Sequence, residues 1–499
     1  MVHLDKENDI EILRQTALML ERENQRLVAK IVELTRELSA LKGKDPTQLR
    51  LQIERLKQQL AERNRRIFGD SSERRPNPET PTQREEKPAL PQKGHGPREQ
   101  PKLPVVEQIH ALDGADQTCP SCGGTLEEWK GQFEESEEVD VVERSFVLKK
   151  HRRQKYRCRC QGCIETAPGP LKLREGARYS VDFAVEVAVG KYLDHLPLER
   201  QVRIMKREGL LVDSQTLWNQ IEHAAGLLLP AYEGLGRRAL AEPVVGADET
   251  RWRPLGAKGQ DEGEAKRWQV WAVATPRAVS YQIRDSRSAV AAEAVLRGFK
   301  GVVMCDGYAA YKTLANNNPE LTLAHCWAHV RREFVEIAPM YPKETTEVLD
   351  LIGELYQIEA LCPAGSDGDA LRAELRNTRS REIVGQIKDW AESTPALGES
   401  ALGKAIAYMA GIWSGLVRFL EDPRIPIDNN GTERVLRGIV VGRKNHYGSR
   451  SKRGTEVAAL FYSLLESAKL VGDEPKAYLR RALFAALRGE PIPLPGDAV

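Results

Sequence analysis

The sequence predicts a multidomain α/β protein: an N-terminal coiled coil, a small cysteine module, then a strand-and-helix core interrupted by a large helical insertion. Three observations carry this. A narrow heptad seam runs through residues 10–68, five of eight cysteines crowd into residues 119–163, and beyond residue 243 short β-branched runs end on isolated aspartates. At 499 residues and 41% hydrophobic content, the chain can bury at least one large core. Lys plus Arg number 74 against 72 Asp plus Glu, a net charge of +2. A whole-molecule basic field is excluded, so any nucleic-acid contact must come from local clusters. The opening, with Asp5, Lys6, Glu7 and Asp9, is too charged for a signal peptide, and no long apolar run suggests a membrane span. The expected location is the cytoplasm, where clustered cysteines point to metal binding more than to disulfides.

In residues 1–69 the seam is Leu13, Ala17, Leu20, Asn24, Leu27, Ile31, Leu34, Leu38 and Leu41, resuming after Pro46 through Leu49, Ile53, Leu56 and Leu60. Asn24 falls at a core position, where a lone Asn sets register and a two-stranded state. Self-association, at least to a dimer, is the expectation; an intramolecular hairpin broken at Pro46 is the alternative. Residues 70–105 are rich in Pro, Glu, Arg and Gln and read as an extended linker.

A small module follows over 106–175. Cys119-Pro120-Ser121-Cys122 opens it and Cys158-Arg159-Cys160-Gln161-Gly162-Cys163 closes it. Two-residue gaps let thiolates converge on one tetrahedral zinc, which makes Cys119, Cys122, Cys160 and Cys163 the expected ligands and Cys158 the competitor of Cys160. Between them Lys149, Lys150, Arg152, Arg153 and Lys155 form a basic run suited to phosphate contact, or simply a solvated strand edge. Residues 176–240 read as helical. Leu198 to Arg207, Glu208-Gly209 and then Ser214-Gln215-Thr216 fit either a helix-turn-helix or an ordinary helical hairpin.

From 241 to 330 the pattern turns to strands. Val244-Val245-Gly246-Ala247-Asp248 and Val302-Val303-Met304-Cys305-Asp306 each end on an acid, as a buried strand delivers a carboxylate to its C-terminal edge. Between them lie strand patterns over 267–274 and 278–283 and an alanine-rich helix over 288–299. This element order fits, by analogy, an α/β core of ribonuclease-H type. Residues 331–425 are mostly helical, with a polar break near 363–369; 426–460 return to the core and 461–499 form a helical tail. Glu433 sits a few residues into a helix that Asn429 or Asn430 caps. Two strand acids and one helix acid can converge on divalent metals, which prefer carboxylate oxygen, and a pair of such ions can clamp a phosphodiester. Glu249 rivals Asp248, because adjacent strand side chains face opposite ways and only one can enter the site. Arg434, Arg437, Arg443, Lys444, Arg450, Lys452 and Arg453 follow Glu433, with Tyr447 among them. They suit a DNA backbone, the alternative being a solvated charged face.

Read in order, these motifs resemble the large transposase of the insertion-sequence-66 family, a DDE-type enzyme. Beside the motifs above, the resemblance rests on Phe68-Gly69 with Ser71-Ser72-Glu73, Lys191-Tyr192 with His195-Leu196-Pro197-Leu198, Ala247-Asp248-Glu249-Thr250 and Cys305-Asp306-Gly307-Tyr308. His325-Cys326-Trp327-Ala328-His329-Val330-Arg331-Arg332, Asp428-Asn429-Asn430 with Glu433-Arg434, and Ser463 to Lys469 complete it. The resemblance implies that Asp248, Asp306 and Glu433 form a catalytic triad holding two Mg²⁺ (or Mn²⁺), cutting transposon ends and joining the 3′-hydroxyl to target DNA. It also implies small accessory proteins of the same element and a nucleoid-associated bacterial setting. Two alternatives stay open: a non-catalytic dimeric regulator that reads DNA with its zinc module, and a nuclease of the same fold that cuts without joining. His325, Cys326 and His329 have metal-ligand spacing but no evident fourth ligand, so core packing or substrate positioning competes.

Overall fold

The computed structural model describes residues 145–157, 164–252, 268–446, 448–449 and 451–497. The coiled coil of 1–69, the linker of 70–105, Cys119, Cys122, Cys158, Cys160 and Cys163, and also Tyr447 and Arg450, lie outside the described residues. The architecture is mixed α/β, with a mixed sheet and a helix-rich C-terminal region. Among the described residues no helix is long and apolar enough to cross a membrane.

Strands β1 (Lys155–Arg157) and β2 (Ile164–Thr166) pair antiparallel. Helix α1 (Val181–Tyr192) starts at Ser180, whose hydroxyl accepts the Phe183 N–H. It meets α2 (Leu198–Arg207) through buried Gln201, whose amide donates to the carbonyls of Val187 and Leu196. The long α3 (Ser214–Leu240) is capped by Asp213 and buries Leu217, Ile221, Leu228 and Leu235.

The central sheet comprises β3 (Val244–Arg251), β4 (Gln269–Ala274), β5 (Val279–Arg284), β6 (Gly301–Cys305) and β7 (Leu321–His325), in the order β5-β4-β3-β6-β7. The first three are antiparallel; β6 runs parallel to β3, and β7 to β6. Every residue of β4 is buried, as expected where both faces of a sheet are covered. Helix α4 (Ala289–Val295) stops short of the 288–299 expected, since Gly298 turns the chain at φ 79° and Phe299 enters the core. Helix α5 (Ala309–Asn317) connects β6 to β7.

Helices α6 (Trp327–Ile337), α7 (Pro342–Ala360), α8 (Asp369–Leu375), α9 (Arg381–Ser393), α10 (Ala401–Gly411) and α11 (Trp413–Leu416) follow. They enclose a core of their own around Trp327, Phe334, Ile352, Ile387 and Met409. Strand alternation joins the two cores: Val303 and Cys305 face the first, Val302 and Met304 the second. The chain then returns through α12 (Asn430–His446), α13 (Lys452–Leu470) and α14 (Pro475–Arg488). Helix α13 closes the β5 edge: its Ser467 and Ser463 hydroxyls accept the Val279 and Tyr281 N–H groups, leaving less edge open to pairing.

Candidate active site

Pairing of β3 with β6 ends at Gly246, whereas β4 still pairs opposite Asp248 and beyond it to Arg251. The strand therefore does not end at Asp248, as its sequence suggests; the antiparallel partner carries it further. Asp248 projects just past the end of the β6 pairing, and Asp306 directly follows Cys305, the last residue of β6. Burial raises the Asp248 carboxyl to about 7, its neighbour Glu249 adds to this, and the charges of Asp306 and Glu433 push the same way against the Glu249 N–H bond. Parallel pairing of β3 with β6 puts Asp248 and Asp306 at the ends of neighbouring strands.

Glu433 reaches this position through a clamp. Asn429 Nδ2 donates to the Ala247 carbonyl at 3.0 Å, and its backbone N–H donates to Cys326 Sγ at 3.2 Å. The Trp327 N–H donates to the Ile427 carbonyl at 3.2 Å. A Cβ at Gly246 would overlap Thr432 Oγ1, so only glycine lets α12 approach β3 this closely. The Asn429 side chain therefore does not cap α12, as its sequence suggests, but ties helix to strand. Its Oδ1 is buried without a hydrogen-bond partner.

Glu433 lies in the first turn of α12, 27% exposed, with His329 Nε2 at 3.6 Å and Arg332 at 3.8 Å. Asp306 Oδ1 accepts the Tyr308 N–H at 2.9 Å, and the Tyr408 hydroxyl donates to its carbonyl at 2.7 Å. Gly307 adopts φ 89°, a turn that favours glycine. Glu249 is committed elsewhere: its Oε1 accepts from Arg287 at 2.6 and 2.8 Å, its Oε2 from the Tyr311 hydroxyl at 3.1 Å, and the side chain is 1% exposed. Arg287 in turn lies 4.0 Å over the Tyr308 ring, bracing the turn after Asp306.

His325, Cys326 and His329 part company. His325 is buried, lowered to about 4 by burial, with Nδ1 at 3.7 Å from Cys305 Sγ. Cys326 holds Asn429, while His329 faces Glu433. Sequence spacing missed this division, along with Tyr408 and Arg332. Only the amphipathic period of α6, which buries Trp327, Val330 and Phe334, could have set His329 apart.

The oxygen-only chemistry of Asp248, Asp306 and Glu433 fits a hard cation. Among the described residues, no three His, Cys, Asp or Glu side chains are already gathered in metal-holding geometry.

The basic residues take several places. Arg434 and Arg437 are exposed on α12, and Lys452 opens α13. Arg443 bonds the Arg251 carbonyl, and Lys444 also has an interaction of its own. Arg453 pairs with Glu222 at 3.3 Å and Glu456 at 3.4 Å. Lys149, Lys150, Arg152 and Lys155 are exposed along the approach to β1 and on it, while Arg153 Nε donates to the Ala167 carbonyl at 2.5 Å.

A model of the Transposase IS66 family matches residues 176–457, more than half of the chain, and one of the zinc-finger binding domain of transposase IS66 matches 116–161. The second match takes in Cys119, Cys122, Cys158 and Cys160 and stops before Cys163. Similar chains include uncharacterized protein y4jD of Sinorhizobium fredii (strain NBRC 101917 / NGR234), 34% identical over 418 residues, 79% of each chain. Uncharacterized protein y4qI of the same strain is 32% identical over 374 residues, 71% of this chain and 68% of that one. Matches of this length, laid over the strands that carry Asp248 and Asp306 and the helix that carries Glu433, show that the chain belongs to the IS66 family of transposases.

Proposed function

We propose that this transposase cleaves DNA at insertion-sequence ends and joins the freed 3′-hydroxyl to target DNA, with Asp248, Asp306 and Glu433 as its catalytic carboxylates. The observation that carries the reading is that β3 and β6 run side by side with Asp248 and Asp306 just beyond their last pairing, while Asn429 ties the start of the Glu433 helix to β3. An antiparallel meander followed by two strands parallel to its first strand also fits a ribonuclease-H-like core, an analogy of topology.

The carboxylates suit two Mg²⁺ or Mn²⁺, since they are hard donors and their mutual repulsion calls for a compensating cation. Bound there, the ions supply activation of the attacking oxygen and stabilisation of the leaving one. The chain's own residues hold the geometry. Asn429 and Gly246 keep α12 against β3, His329 and Arg332 orient the Glu433 carboxylate, and Tyr408 and Tyr308 fix the Asp306 turn. Arg434, Arg437, Arg443, Lys444, Arg450, Lys452 and Arg453, with the 149–155 run, are assigned to the DNA backbone. Cys119, Cys122, Cys160 and Cys163 are assigned one structural zinc, and residues 1–69 a homodimer that brings two DNA ends together. Small proteins of the same element are the expected accessory partners.

The test is cleavage and joining of a labelled transposon-end duplex with Mg²⁺ or Mn²⁺, wild type against Glu433→Gln. We expect DNA binding in both and activity at least about 10³-fold lower in the variant, the scale on which a catalytic group acts. Equal activity would remove Glu433 from the site. Cutting without joining in the wild type would point to a nuclease. Binding without cutting in either, with accessory proteins added, would point to a regulator.

A further inference from the structure

Beside the acid site lies a second feature that the chemistry above does not use. A cavity of about 360 Å³ opens along β7, walled by α5 on one side and by the segment around α11 on the other. Lys312 and Arg418 supply two cations to its lining, and Thr322, Ser414, Asn316 and His325 supply neutral polar groups; no carboxylate lines it. Lys312 Nζ donates to the Gly411 carbonyl at 3.1 Å, a contact that leaves its charge uncompensated. Arg418 pairs with Glu421, which does not line the cavity, through NH1 at 3.4 Å, and its Nε is buried with no hydrogen-bond partner. His325 connects the cavity to the acid site: it pairs in register with Cys305, next to Asp306, and both Lys312 and Asp306 act on its ring.

We propose that this cavity is a phosphate subsite, in which Lys312 and Arg418 hold a backbone phosphate of the DNA strand entering the acid site. Two cations in a lining that holds no carboxylate, with only Arg418 ion-paired and that to Glu421 outside the lining, disfavour a metal and favour an oxyanion. The volume exceeds what one phosphate needs, leaving room for the adjoining sugar. The source of the phosphate rests on the transposase reading; the anion chemistry does not.

The test uses the full chain in two arms. Lys312→Gln removes a charge, and Ser414→Asp places an opposing charge in the cavity without removing any hydrogen bond seen for Ser414. Binding of an end duplex is measured against salt concentration, on a Glu433→Gln background so that cleavage plays no part. Each variant should bind end and unrelated duplexes more weakly by a similar factor, with a log–log salt slope smaller by about one. Lys312→Arg should restore both. Inorganic phosphate should raise the melting temperature of the starting protein more than that of Ser414→Asp. Unchanged affinity and slope in variants that melt normally would overturn the DNA assignment, and an unchanged phosphate response as well would overturn the anion site. Because no cleavage is read, these outcomes are distinct from failure of the transposase reading.

Discussion

At Asp248 two physical effects act in one direction: burial and neighbouring acids both disfavour its ionised form, raising the carboxyl to about 7 from 3.8. The sign follows. A raised folded-state value means that the folded protein binds this proton more tightly than the unfolded chain does. The contribution is therefore fully present below the unfolded value and is lost as pH rises through about 7. Asp248→Asn should then stabilise the metal-free protein at pH 8 by roughly 1–3 kcal/mol, discounted for its partial exposure, and change little at pH 4. Urea melts in EDTA at the two pH values check this; equal shifts at both would show that the carboxylate is not under strain. Mg²⁺ should raise the melting temperature of the wild type and not of the variant. Asp248, Asp306 and Glu433 are each legible as residues. That Glu249 is spent on Arg287 and Tyr311 is not, because those partners come from distant segments.

Among the elements, the insertion is anchored at Arg376, 1% exposed in a π-helical turn between α8 and α9. Its guanidinium bonds both Glu359 carboxylate oxygens and the carbonyls of Phe419, Asp422 and Ile425. Those carbonyls belong to the segment that leads into Asp428 and α12, so one buried fork links the helical insertion to the approach of Glu433. Arg376→Ala should destabilise by about 3 kcal/mol, and Arg376→Lys should not rescue it, since an ammonium lacks the planar five-donor geometry. Denaturant melts measure this; a loss under about 0.5 kcal/mol would mean that the fork is dispensable. Helix periodicity was readable through most of the insertion. Strand β7 was not: Leu-Thr-Leu-Ala-His is too short to show a period, and pairing with β6 makes it a strand.

For the whole molecule, the near-balanced charge of +2 means that DNA affinity would depend on local basic groups and, if residues 1–69 pair as proposed, on two copies of them acting together. Deleting residues 1–69 should give a monomer in light scattering and abolish paired-end complexes, while single-end binding persists. A deletion variant that stays dimeric would move the oligomer interface into the remaining chain. Cys119, Cys122, Cys158, Cys160 and Cys163 are open to the same kind of whole-chain test. Serine at a zinc-binding position should lower the metal content, and comparing Cys158→Ser with Cys160→Ser would identify the fourth ligand.

From its sequence alone this protein's family resemblance, its mixed α/β class and the identities of its candidate acids could be read, because short motifs and hydrophobic periods are local properties. Tertiary structure alone decided where those acids stand relative to one another. It also decided that α12 closes on β3 through Asn429 and Gly246, that His329 faces Glu433 while His325 is buried, and that a cation-lined cavity opens beside β7. Each of these joins residues from distant parts of the chain, and such contacts arise only once the two cores pack and the strands pair.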